Sequence, residues 1–206
     1  MIAVVDYGAH GLRSVVRALA AGGHRATLTT DPAKVRNAER ILLPGVGDFA
    51  PSIRALTASG LGQAVRDASA AGVPLMGICL GLQLLFAESE EAEGTAGLAI
   101  LRGRVQRFRT TLPLPHVGWA RVDPTPAGRR HPMLHDLFTG GPVSYYHVHS
   151  YHPAGLPTEA ILATAAYGES FPTIVGEGTT IGAQFHPEKS GAAGIALLSA
   201  FATWRP

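Results

Sequence analysis

The sequence predicts an α/β protein with a mixed, mainly parallel central sheet flanked by helices and a more strand-rich second half. Two observations predict it. In the first half, short apolar runs of β-forming residues alternate with amphipathic helical stretches, the order that builds a parallel sheet covered on both faces. In the second half, strand-like runs follow one another between Pro and Gly turns, with less room for crossover helices.

The elements are expected in this order. Ile2 to Val5 is a strand ending at Asp6-Tyr7-Gly8. Leu12, Val15, Val16 and Leu19 share one helical face, and Gly22-Gly23 stops that helix. Ala26 to Thr29 is a second strand, and Ile41-Leu42-Leu43 a third, closed by Pro44-Gly45. Ile53, Leu56, Leu61, Ala64, Val65 and Ala68 mark helical turns interrupted around Gly60 and Gly62. Val73 to Ile78 is a strongly apolar strand leading into Cys79, and Leu80 to Phe86 reads as a helix. Further strands are expected at Val105–Phe108, Val117–Val122, Val143–Val148, Ile161–Ala166, Ile174–Glu177 and Ile181–Phe185. A last helix near Gly194 to Trp204 places Ile195, Leu198 and Phe201 on one face.

Composition bounds the function. With 206 residues, 46% hydrophobic and 16% charged, the chain is expected to fold as one domain over residues 1–206 with a sizeable core. The net charge of +2 is scattered, with no Lys/Arg block dense enough for nucleic acid as the main partner. A single cysteine excludes an internal disulfide. The N-terminus has no signal-peptide pattern, and no apolar run approaches the ~20 residues that span a bilayer. The sequence therefore reads as a cytoplasmic protein without a membrane partner.

In a parallel sheet ligands bind beyond the carboxyl ends of the strands, where loops begin after Val5, Leu43 and Ile78, and three motifs carry the chemistry. Gly77-Ile78-Cys79-Leu80-Gly81 is a nucleophile elbow with Cys in place of Ser. The flanking glycines permit a tight turn, a helix N-terminus favours the thiolate, and the Leu80 amide is placed to donate to an oxyanion. A buried structural cysteine in a glycine-rich turn would read the same way. Gln184-Phe185-His186-Pro187-Glu188 supplies what a thiolate acting on an amide needs. His186 can protonate the leaving amine, and Glu188 can orient the imidazole. Pro44-Gly45-Val46-Gly47 frees backbone amides to turn toward a ligand.

Together these motifs resemble class I glutamine amidotransferases, which have a flavodoxin-like fold and a Cys-His-Glu triad. The finer resemblance is to the glutaminase subunits of imidazole glycerol phosphate synthases in histidine biosynthesis. Pro115-His116-Val117-Gly118-Trp119, His149-Ser150-Tyr151 and the ending His186-Pro187-Glu188-Lys189-Ser190-Gly191 narrow it. The resemblance implies a glutamyl thioester on Cys79, acid–base work by His186 oriented by Glu188, and an oxyanion hole from Val46 and Leu80. It implies glutamine held by Gly45, Gly47, Gln83, Ser150 and Tyr151, and no cofactor or metal. It also implies a heterodimer with a separate (β/α)8 cyclase subunit, faced by Trp119 and Lys189. The cyclase would use the ammonia to make imidazole glycerol phosphate and AICAR.

Three positions depart from the family pattern: Gly8-Ala9-His10-Gly11-Leu12 for Gly-x-Gly-Asn-Leu, Trp119-Ala120 for Trp-Asn, and Tyr146-His147-Val148 for Tyr-Phe-Val. His147 and His149 are expected on one face of a strand, yet no Cys or carboxylate nearby completes a metal site. Other synthases' glutaminases, such as those for anthranilate or pyridoxal phosphate, and a non-catalytic binding subunit of the same fold stay open. A cysteine α/β-hydrolase is disfavoured, because it places its acid between nucleophile and histidine.

Overall fold

The computed structural model describes residues 1–206. In chain order the first half runs β1 (Ile2–Val5), α1 (Leu12–Ala21), β2 (Ala26–Thr29), α2 (Pro32–Arg36), β3 (Arg40–Gly45), α3 (Phe49–Ala58), α4 (Leu61–Ala70), β4 (Leu75–Cys79) and α5 (Leu80–Gln83). The second runs β5 (Arg104–Arg107), β6 (His116–Pro124), α6 (Pro126–Arg130), β7 (Val143–His149), β8 (Tyr151–Ala154), β9 (Ile161–Tyr167), β10 (Glu169–Glu177), β11 (Thr180–Ala183) and α7 (Gly191–Thr203).

Nine strands form one sheet in the order β2-β1-β3-β4-β11-β10-β9-β6-β7. From β2 to β11 every pairing is parallel, and from β11 to β7 every pairing is antiparallel. β5 and β8 make a separate antiparallel pair. The mixed sheet of the sequence reading is therefore parallel where helices alternate and antiparallel where strands follow directly.

The parallel strands read as unbroken apolar runs because both faces are covered. Alternation then sorts their side chains. Ile2, Val4, Leu42, Met76 and Ile78 join Val15, Leu19, Leu197, Leu198 and Phe201 of α1 and α7 in one core. Ala3, Val5, Ile41, Leu43 and Leu75 join Phe49, Ile53, Leu56, Leu61 and Val65 of α3 and α4 in the other. Each fully buried Leu or Phe here contributes about 1.5–3 kcal/mol of transfer free energy. The break between α3 and α4 falls at Gly60, whose φ of 72° is left-handed.

Several boundaries differ from expectation. α2, capped by the Asp31 side chain accepting from the Ala33 N–H, was not anticipated, nor were α6 and β8. The expected helix over Leu80–Phe86 is a single turn. A helix reaching Phe86 would need the Leu85 and Phe86 amides to donate four positions back, to Gly81 and Leu82. They donate instead three positions back, to Leu82 and Gln83, while the Leu84 and Leu85 carbonyls accept from the amides of Leu98, Ile100 and Leu101, and Leu84, Leu85 and Phe86 are all fully buried. No helix is long and apolar enough to cross a membrane.

Candidate active site

Parallel pairing aligns the ends of β1, β3, β4 and β11 at one edge of the sheet. β4 and β11 are neighbours in register, with Ile78 opposite Ala183. The residues that follow, Cys79 on one strand and Gln184 to Glu188 on the other, are thereby brought side by side across 100 or so positions of sequence.

Cys79 has φ 52° and ψ −112°, a backbone conformation uncommon for a residue with a Cβ and characteristic of sites where strain serves geometry. Its glycine neighbours make the turn possible. A Cβ on Gly81 would run into the Leu43 carbonyl, and one on Gly77 would lie 2.6 Å from the Leu82 Cα. The thiol is buried but opens on a cleft of about 540 Å³. As the first residue of α5, Leu80 has no intrahelical acceptor for its N–H. With α5 only one turn long, its dipole is a minor influence on the sulfur.

His186 is held on three sides. Its Nδ1 bonds Glu188 Oε1 at 2.7 Å, with both side chains almost wholly buried. Its own N–H donates to the Tyr146 carbonyl at 2.9 Å. Its carbonyl accepts from Ser190 Oγ at 2.7 Å, and that oxygen in turn accepts from the Tyr146 N–H at 3.0 Å. Burial works against a charge on His186, yet the Cys79 sulfur and then Glu188 outweigh it and push the imidazolium up to about 10. The raised imidazolium sets beside the sulfur an acid that can become a base.

The cleft brings together nearly all the residues singled out from sequence. Val46, Gly47, Cys79, Leu80, Gln83, Ser150, Tyr151, His186 and Lys189 line it. Gly45 lies apart. It forms part of an adjoining cavity of about 220 Å³ that also reaches Glu188, and its backbone packs so tightly that a Cβ would meet the Tyr7 hydroxyl. Gln83 Nε2 donates to the Tyr151 carbonyl at 3.0 Å, tying α5 to β8. Trp119 is outside the cleft, 59% exposed on the outer face of β6. It packs edge-on against Tyr146, over which Lys189 lies with Nζ 6.0 Å from the ring centroid.

Glu91 is a cleft residue to which no sequence pattern points. Glu91 faces the cleft and accepts from the Phe49 N–H at 3.3 Å. Burial, with the nearby Asp48 adding to it, raises its pKa despite that bond. It lies in an acidic loop, Glu88 to Glu93, whose charge run reads as a solvated surface. Nothing in spacing distinguishes it. As to metals, no group of three or more His, Cys, Asp or Glu is arranged to hold one. The rings of His147 and His149 are 5.5 Å apart, and each spends Nδ1 on a backbone carbonyl.

A strained cysteine at a strand's carboxyl end, backed by a buried His–Glu pair, defines a thiol amidohydrolase of the glutaminase kind. The chain belongs to the class-I glutamine amidotransferase family, whose model (Glutamine amidotransferase class-I) matches residues 3–203. Within that family it is similar to proteins named imidazole glycerol phosphate synthase subunit HisH. The one from Symbiobacterium thermophilum is 46% identical over 200 residues, 96% of this chain and 91% of the relative. The one from Salinibacter ruber is 42% identical over 209 residues, 98% and 94%. Among solved structures, a glutamine amidotransferase matches with TM-score 0.74 at 18% identity over 96% of this chain and 98% of that one. PurLQS from Thermotoga maritima matches with TM-score 0.74 at 17% identity, over 97% and 96%. These two similarities speak to the fold alone.

Proposed function

We infer that this chain is the glutaminase subunit of imidazole glycerol phosphate synthase, a single amidotransferase domain that hydrolyses glutamine and passes the ammonia to a cyclase subunit. The observation that carries the chemistry is Cys79 at its left-handed elbow with His186 and Glu188 behind it. The kinship with HisH subunits over nearly the whole chain carries the pathway.

In this reading the Cys79 thiolate attacks the side-chain carbonyl carbon of glutamine. The N–H groups of Val46 and Leu80 receive the oxyanion. His186 gives its proton to the amide nitrogen, the C–N bond breaks, and ammonia leaves a glutamyl thioester. His186, now neutral, takes a proton from water. The resulting hydroxide adds to the thioester, and collapse expels the Cys79 thiolate and glutamate. Glu188 keeps Nδ1 engaged throughout, so that Nε2 is the nitrogen facing the sulfur. Asp48 and Glu91 give one wall of the cleft a negative character suited to the substrate's α-ammonium.

The exposed Val117 and Trp119, with Tyr146 and Lys189 beside the cleft mouth, form the surface on which we place the cyclase. A cytoplasmic location belongs to the same proposal. The test measures ammonia release with and without a cognate cyclase and its nucleotide ligand. Stimulation is expected, and Cys79→Ala is expected to abolish release in both conditions. Release that persists in Cys79→Ala sinks the nucleophile. Release that the cyclase leaves unchanged sinks the assignment to histidine biosynthesis.

A further inference from the structure

Gln184 lies one residue beyond the β4–β11 register and is wholly buried. A buried primary amide is costly unless its donors and acceptor are engaged. Here its Nε2 lies 3.8 Å from Cys79 Sγ, its Oε1 accepts from Gln83 Nε2 at 3.2 Å, and its backbone N–H donates to the Thr173 carbonyl at 2.8 Å.

The orientation of this amide follows from the network. The Tyr151 carbonyl can only accept, so the Gln83 group that bonds it at 3.0 Å is its nitrogen. The second hydrogen on that nitrogen goes to Gln184, which must therefore turn its oxygen to Gln83. The Gln184 nitrogen is left facing the sulfur. The sulfur also lies 3.8 Å from the Val148 carbonyl, an acceptor that favours the thiol and repels the thiolate. A donor and an acceptor thus meet at one sulfur, and the donor acts only as firmly as it is held.

We propose that Gln184 is a positioning residue of the glutaminase. Its Nε2–H donates to the Cys79 thiolate, and the Gln83–Tyr151 link holds that donor in place. The proposal rests on Cys79 being the nucleophile. It ties the segment that borders the substrate cleft, Ser150-Tyr151, to the reacting sulfur through two buried amides.

Cys79 is the only cysteine, so alkylation of the full chain by iodoacetamide reads one thiolate. Gln184→Glu keeps the shape and an oxygen for Gln83 but points an oxygen at the sulfur. Gln184→Met keeps the bulk and removes the donor. The expected result is an upward move of the alkylation pH profile by about one unit for Gln184→Glu, a roughly tenfold slower reaction at a fixed pH on its rising limb. A smaller upward move is expected for Gln184→Met. Gln83→Met leaves Gln184 in place but frees it to rotate, and an upward move is expected there too. It serves as the deciding variant if substitution at Gln184 prevents folding. Folded variants with profiles unchanged from the parent overturn the proposal. Ammonia release by Cys79→Ala is measured alongside. If it persists, the nucleophile reading itself fails; if it is abolished while the Gln184 and Gln83 profiles stay put, only the role of Gln184 fails.

Discussion

His186 concentrates the energetics of the site in one ring. Burial alone would lower its pKa, as it does for His147 and His149 nearby. Cys79 and Glu188 reverse the sign and hold it up to about 10. Relative to an unfolded histidine at about 6.5, the stabilisation is fully present below pH 6.5 and is lost as pH rises through 10. Because Cys79 is the larger of the two raising influences, Cys79→Ala is expected to bring the His186 titration down. Imidazole ¹³C and ¹⁵N shifts followed from pH 5 to 11 check this: an imidazolium persisting through pH 8 in the parent, and an earlier loss of the proton in the variant. An unchanged titration would show that Glu188 alone sustains the charge. At this scale the sequence was informative where a residue sat in a glycine-flanked or proline-fixed turn, as Cys79 and His186 do. It was silent where the role comes from a tertiary neighbour. Gln184 and Glu91 owe their significance to Gln83 and Phe49, which no local pattern links to them.

The elements that periodicity revealed best were those with one environment along their length. β1 and β4 throughout, and β3 from Ile41 on, are apolar because helices cover both faces, and α1 keeps Leu12, Val15 and Leu19 on one buried stripe. α5 misled because three successive buried residues after it satisfy a helical pattern while their carbonyls serve another segment. β7 shows a further case. Its inward face, Tyr145, His147 and His149, alternates as a strand should, but two of the three are histidines. They lie with His116, His152, Phe108, Phe171 and Phe185 in a buried aromatic layer. His147 is wholly buried, bonded to the Tyr145 carbonyl and to Thr173 Oγ1, and burial, partly offset by the Tyr145 bond, lowers its pKa to about 3. The unfolded chain takes up this proton first, so stability falls as pH drops from 6.5 toward 3. The loss from this ring is about 2 kcal/mol by pH 5. His147→Phe keeps an aromatic ring in the layer and removes the proton site. Urea unfolding at pH 7 and pH 5 is expected to show a pH-dependent loss about 2 kcal/mol smaller in the variant than in the parent. Equal losses would mean that His147 is protonated in the folded state.

At the scale of the whole molecule, β11 is the joint between a parallel half and an antiparallel half. Its neighbour on one side, β4, delivers the nucleophile. The antiparallel strands on its other side carry β6 and β7 out to the far edge, where Val117 and Trp119 stand exposed on the outer face. This division was legible as alternating and then strand-rich sequence. The position of β11 at the joint was not, because pairing between strands 100 positions apart leaves no local trace. The architecture sets the triad and the exposed aromatic surface at the same end, joined by Tyr146, which anchors His186 through its backbone and packs Trp119 and Lys189 with its ring. A large apolar side chain left in water and rimmed by polar groups is what a partner buries at the centre of an interface. Trp119 touches neither the sulfur nor the cleft, so truncating it leaves the chain's own chemistry intact. In the proposed complex, Trp119→Ala is therefore expected to weaken binding of the cyclase by about 2 kcal/mol or more, roughly 30-fold, as read by titration calorimetry. Iodoacetamide should meanwhile alkylate Cys79 of the free subunit at the parental rate. Parental affinity for the cyclase would move the interface off β6, and a change in alkylation would show that the tryptophan acts on the triad through Tyr146 even without a partner.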